Sequence, residues 1–238
     1  MNKMSISERN SDFLRKSKNT YISNNCSNLH YYFKEEREYD HPFIGCLFVN
    51  DADYVRFCCN FRKYIKAVPR FDSPREDSVW AKQTGNAWYT FGDTKPGYPV
   101  MFLEDVEIHW IHETSPKELI EKYMRRMARL LNTNLSSVIF MLSCSDLCND
   151  WTQEEYPPSG SERLSAYNKL ISSFLSLPNS VYLCKDERDL ALVPQARNRI
   201  RLVERWRNIE NKRDEKHNLL IHTTGERMDD YTAVIAQL

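Results

Sequence analysis

Residues 98–132 read YPVMFLEDVEIHWIHETSPKELIEKYMRRMARLLN, and the fold turns on how this stretch is parsed. From Leu103 to Ile111 the residues alternate as in a strand. Val106, Ile108 and Trp110 fall on one face, and Asp105, Glu107 and His109 on the other. His112 lies just beyond. Ser115, Pro116 and Glu118 then give an N-cap, a first-turn proline and a capping-box acid. Leu119, Ile120, Tyr123, Met124, Met127, Leu130 and Leu131 recur at helical spacing and predict a buried face. Arg125, Arg126 and Arg129 crowd the end of this helix. One strand and one helix in direct succession are the unit from which a parallel sheet is built.

Outward from this unit the same rhythm holds. Thr20–Ser23 reads as a short strand running into the turn Ser23-Asn24-Asn25-Cys26. Residues 42–49 (PFIGCLFV) suit a strand buried on both faces, and a helix is predicted over 52–68 with Asp51 as its cap. After the central unit come a strand at 135–144, a helix at 161–177 and a strand at 180–184. A charged surface helix is predicted over 189–212, an edge strand at 218–222 and an apolar tail at 231–238. A small strand is read at 87–91 within an otherwise aperiodic 69–97. The alternation predicts an α/β fold with a mostly parallel sheet flanked by helices in three layers, α/β/α. Residues 1–19 read as a polar leader and 20–238 as a single α/β domain, with a subdivision near residue 150 as the alternative.

The chain has 238 residues, enough for a core without staples. Lys plus Arg equals Asp plus Glu at 33 each, which argues against a generic nucleic-acid binder but leaves room for a local anion site. An odd set of 7 cysteines, several in apolar runs, reads as reduced thiols of a cytoplasmic protein. Cys144 and Cys148 have no second ligand pair at matching spacing, so no metal site is assigned to them. The polar start lacks a signal-peptide core, and no apolar run approaches the ~20 residues of a membrane span. Peripheral association with a membrane-bound pathway stays open.

Several residues carry candidate chemistry. Ser23, Asn24 and Asn25 close a strand end, where α/β proteins bind ligands, although Asn-rich turns also form for purely local reasons. Asp51-x-Asp53 after an apolar strand has the spacing of carboxylates that hold a divalent ion on a diphosphate. Asp is also a favoured helix cap, and the cap reading is preferred. His109 has three readings: a structural partner of Asp105 or Glu107, an acid/base group oriented by that carboxylate, or a metal ligand with His112. Arg126 and Arg129 share a helix face and match a phosphate or carboxylate, while helix C-termini favour cations in any case.

The ordered pieces Ile22–Cys26 (ISNNC), Pro42-Phe43, Asp53 with Phe57, Tyr98-Pro99, Leu103–His112 (LEDVEIHWIH) and Tyr123-x-x-Arg126-x-x-Arg129 resemble a bacterial domain-of-unknown-function family labelled exopolysaccharide biosynthesis protein. The resemblance covers roughly residues 20–145. The chain departs from it at Ser27-Asn28-Leu29, where the family has glycines, at His41-Pro42 for Ser-Pro, and at Tyr123 for Trp. The resemblance implies an α/β fold and a role in making surface or exopolysaccharide. The expected function is therefore a glycosyltransferase-like transferase acting on a nucleotide sugar or other phosphorylated small molecule. In that reading His109 is the acid/base, Asp105 orients it, and His112 is a further catalytic candidate. Ser23, Asn24, Asn25, Tyr98, Arg126 and Arg129 bind substrate. No cofactor is required, though a divalent cation is compatible. The alternatives are a non-catalytic glycan-pathway binding or assembly protein and a metal-dependent hydrolase.

Overall fold

The helix after Ser115 forms where its capping signals place it. In the computed structural model the Ser115 hydroxyl accepts from the Glu118 N–H at 3.3 Å, and the helix spans Pro116–Leu131. The structure describes residues 19–25, 27–34, 36–48, 50–72, 75, 98–110, 112–113, 115–143, 161–184 and 194–202. Expectations for the leader, for strands at 87–91 and 218–222, for Cys144 and Cys148 and for the C-terminal tail fall outside these residues.

The strands are β1 (Thr20–Ser23), β2 (Leu47–Phe48), β3 (Arg70–Asp72), β4 (Val100–Leu103), β5 (Val106–His109), β6 (Val138–Ser143), β7 (Ser180–Cys184) and β8 (Ile200–Leu202). The helices are α1 (Ser27–Lys34), α2 (Asp51–Cys59), α3 (Phe61–Tyr64), α4 (Pro116–Leu131) and α5 (Ser161–Leu175). The fold is mixed α/β. One four-stranded sheet, in the order β1-β6-β7-β8, is wholly parallel. A second, in the order β2-β5-β4-β3, is wholly antiparallel.

The second sheet corrects the single three-layer arrangement. Residues 100–109 form a hairpin, not one strand, with Leu103 paired to Val106 across Glu104-Asp105. Glu104 has φ +54°, a conformation usually given to Gly or Asn. It is held by its neighbours: Lys63 pairs with the Glu104 carboxylate, and Arg56 and Tyr64 bond Asp105. Side-chain contacts from α2 and α3 thus fix a turn that carries neither Gly nor Asn.

Three further boundaries differ from expectation. Asn50, not Asp51, caps α2, its Oδ1 accepting from the Asp53 N–H at 2.7 Å. Among the described residues, the run 42–49 is a strand only at Leu47–Phe48, because Gly45 turns the chain at φ +77°, where a Cβ would stand 3.3 Å from Leu29. The predicted charged helix is, over the described residues, a 3₁₀ turn (Pro194–Arg199) leading into β8, whose Ile200 is buried against the parallel sheet.

One hydrophobic core joins both sheets. α2 makes the junction. Its Tyr54 hydroxyl donates to the Ile22 carbonyl at 2.7 Å and accepts from the Met141 N–H at 3.2 Å, entering the β1–β6 ladder. Phe57 lies edge-on to Phe43, and Phe61 in α3 lies edge-on to Phe140 of β6. On α4 the inward face is Leu119, Tyr123, Arg126, Met127 and Leu130. Ile120, Met124 and Leu131, expected in the core, are exposed. At 100° per residue they form a second stripe that turns away when Leu119, Tyr123 and Leu130 face in. Val106, Ile108 and Trp110 face this common core. On the opposite face of β4–β5, Tyr98, Val100 and Phe102 form a separate small cluster, beside Glu107 and His109.

Candidate functional site

The residues singled out in the sequence separate into three groups. The first is the end of β1. Asn24 is fully buried, and its amide donates to Asp51 Oδ1 and to the Ser143 carbonyl, both at 3.1 Å, while its Oδ1 accepts from the Ser143 N–H at 3.0 Å. Its backbone carbonyl accepts from the Phe48 N–H of β2. Ser23 donates its hydroxyl to the Asn25 carbonyl and to Asn25 Oδ1, both at 2.9 Å. This turn therefore ties β1, β6, β2 and α2 together. Asp51 and Asp53 diverge from it: Asp51 faces Asn24, whereas Asp53 takes the Arg56 guanidinium at 2.6 Å. Burial raises the Asp53 carboxyl above its ordinary range, against the opposing charge of Arg56.

The second group lies on the outer face of the β4–β5 hairpin. Glu107 and His109 have no exposed surface. Glu107 Oε1 is 3.0 Å from His109 Nε2, and His109 Nδ1 is 3.2 Å from the Tyr98 hydroxyl. Burial lowers the His109 pKa, opposed by its hydrogen bond to Glu107, so the imidazole is neutral. A neutral ring facing a carboxylate carries its proton on Nε2 and offers its Nδ1 lone pair to the tyrosine hydroxyl. Arg75 Nε stands 3.6 Å from Glu107 Oε2, and among the described residues neither atom has a hydrogen bond. Arg75 also donates to the Asp105 carbonyl at 2.8 Å and lies over the Phe102 ring.

Asp105 does not orient His109, contrary to expectation. It belongs to the hairpin turn, where its carboxylate takes Arg56 at 2.5 Å and Tyr64 at 2.8 Å. The Arg56 hydrogen bond, with Tyr64, holds it down to about 2. Glu107 has the role assigned to Asp105, and the i,i+2 spacing of Glu107 and His109 on one strand is the signal that identifies it. His112 is exposed beyond β5, apart from the buried ring of His109. Among the described residues no group of three or more His, Cys, Asp or Glu side chains gathers as a metal-binding set.

The third group is on α4. Arg129 donates to the Tyr39 carbonyl at 2.9 Å and pairs with Glu38 at 2.6 Å, so it binds within the protein. Arg126 is buried, with its guanidinium carbon 4.5 Å from the centre of the Tyr39 ring. Tyr123, one turn away, packs on Phe43 of the common core. The α4 group therefore sits on the inner side of the antiparallel sheet and His109 on the outer side. The structure does not bring the two arginines and His109 into one pocket. Nor do the Ser23–Asn25 turn and His109 share a parallel sheet.

A mixed α/β protein with a buried carboxylate–imidazole–hydroxyl chain is thus the class that fold and site define. The chain belongs to the family described as "Domain of unknown function (DUF1919)", which matches residues 1–189. It is also similar to an uncharacterized protein of Haemophilus influenzae, 28% identical over 116 residues, a stretch covering 49% of this chain and 46% of that protein. The similarity thus spans less than half the length of that relative.

Proposed function

We propose that the protein acts in surface or exopolysaccharide biosynthesis as a transferase that moves a sugar from a phosphate-bearing donor to a hydroxyl acceptor. The pathway half of this reading rests on the sequence resemblance. The chemical half rests on one observation, the Glu107–His109–Tyr98 chain. Glu107 fixes the imidazole tautomer, and Nδ1 points its lone pair at a hydroxyl. An acceptor hydroxyl taking the place of the Tyr98 hydroxyl would give its proton to Nδ1. Its oxygen would bond to the sugar carbon as the bond to the donor phosphate breaks, and the nucleoside diphosphate would leave with that electron pair. Glu107 would stabilise the imidazolium so formed. Arg75, with its Nε 3.6 Å from Glu107, would meet the departing phosphate in this reading.

A second reading, a non-catalytic binding or assembly protein of the same pathway, is favoured by the complete burial of Glu107 and His109. The two separate in one experiment. Nucleotide sugars are screened by thermal shift with and without Mn²⁺ and Zn²⁺, and those that bind are assayed for release of the nucleoside diphosphate with a glycan acceptor. The transferase reading expects His109→Gln to keep donor binding and lose ~10²–10⁴-fold in turnover. Donor binding with no turnover by the wild-type chain supports the binding protein. Absence of any donor effect refutes the transferase.

A further inference from the structure

Arg126 is only 7% exposed. Among the described residues it has no hydrogen bond and no ion pair, and its guanidinium carbon lies over the face of Tyr39, 4.5 Å from the ring centre. A buried guanidinium ordinarily carries a carboxylate, because an aromatic face returns far less than the lost hydration of the cation. The nearby charges do not supply one. Glu113 reaches Arg126 only through longer-range attraction, and its carboxylate already takes Lys122 at 2.6 Å. Arg125 and Arg129 act on Arg126 with the same sign, and Glu38 pairs with Arg129 instead. His41, which feels the Arg126 charge, is neutral and bonded on both ring nitrogens. Burial lowers the Arg126 pKa, yet a guanidinium remains charged at neutral pH.

A second group on the same helix face is also without a partner. The Tyr123 hydroxyl is buried and makes no hydrogen bond among the described residues. Tyr123 and Arg126 stand three positions apart on the inward face of α4, a spacing that makes side chains neighbours. Each is a hydrogen-bond donor, one of them cationic, for which the described residues supply no acceptor.

We propose that Arg126 and Tyr123 form a binding site for a phosphate oxyanion, with the guanidinium as the charged fork, the Tyr123 hydroxyl as a second donor and Tyr39 as the wall behind. The site stands on the inner side of the antiparallel sheet, so it does not depend on the role of His109. The phosphate comes either as the free ion or as part of a phosphorylated ligand.

The test measures binding of inorganic phosphate and of a nucleoside diphosphate to the full 238-residue chain by calorimetry. It also measures urea unfolding in phosphate-free and phosphate buffers. Wild type should be stabilised by phosphate. Arg126→Met should bind at least about tenfold more weakly and should unfold in phosphate-free buffer no more easily than wild type. Tyr123→Phe should fold as well as wild type and lose several-fold in phosphate affinity. Equal binding of the two ligands identifies free phosphate as the occupant, and tighter binding of the diphosphate identifies a phosphorylated ligand. The proposal is overturned if wild type binds neither, if Arg126→Met binds both as well as wild type, or if Arg126→Met is markedly less stable without phosphate. That last result would mean the guanidinium already has an internal partner.

Discussion

Replacing Asn24 by Ala tests whether the β1 turn is a clamp or a ligand site. The substitution removes the bonds to Asp51 and to the Ser143 carbonyl and N–H. Each is buried, and one acceptor is a carboxylate. At ~1 kcal/mol per neutral bond and ~1.5–3 for the charged one, the loss is about 4 kcal/mol. That is a large share of the ~5–15 kcal/mol that holds a typical domain together. Urea unfolding should show a lower midpoint with an unchanged slope, and melting should fall by roughly 10 °C at ~2–4 °C per kcal/mol. Asn24→Asp sharpens the test. It keeps an acceptor for the Ser143 N–H but turns carboxylate oxygen toward Asp51 and the Ser143 carbonyl. It should be at least as damaging at neutral pH and recover in part on acidification, when a protonated carboxyl can donate. A cost below ~1 kcal/mol for Asn24→Ala, with nucleotide-sugar affinity lost instead, would refute the clamp.

His41 should make stability depend on pH. Burial lowers it from 6.5 to about 4, and it stands beside Asp40, Arg37 and Arg126. Between those values the unfolded chain takes up a proton that the folded chain refuses, so stability falls as pH drops. The His41 share of that loss approaches ~3 kcal/mol. His41→Gln should flatten that segment of the urea-midpoint profile, and an unchanged slope would show that other groups produce it. On α4, Leu119→Ala should cost ~2–4 kcal/mol, and Ile120→Lys should stay within about 0.5. Equal costs in urea would contradict the assignment of the two stripes.

What the sequence disclosed was local. Ser115 and Pro116 announce α4, and the apolar runs at Thr20–Ser23 and Ser180–Cys184 coincide with β1 and β7. The hairpin was hidden because Glu104-Asp105 has neither Gly nor Asn. Contacts from Lys63, Arg56 and Tyr64, about 40 positions upstream, compensate. Seven apolar positions on α4 overstated its buried face, since periodicity does not say how wide a stripe the neighbours cover. Glu107 was legible as the partner of His109 through the two-residue strand period, whereas its advantage over Asp105 depended on where the turn fell. The separation of Arg126 from His109 reflects which face of the hairpin each element packs on, and no local pattern encodes that.

The bonds of Asn24 to Ser143 join positions 119 apart, and β1 and β6 pair along the same span. A nascent chain emerges at ~5–20 residues per second, so β1 leaves the ribosome on the order of ten seconds before its partner strand exists. The antiparallel sheet, encoded wholly between them, has its pairing segments within reach first. In refolding from denaturant, too, the loop closure joining β1 to β6 is expected after the local hairpin pairing, since contacts between distant positions form more slowly. Tyr54, which bonds both strands, is then a probe whose environment reports that closure and not the earlier formation of the hairpin.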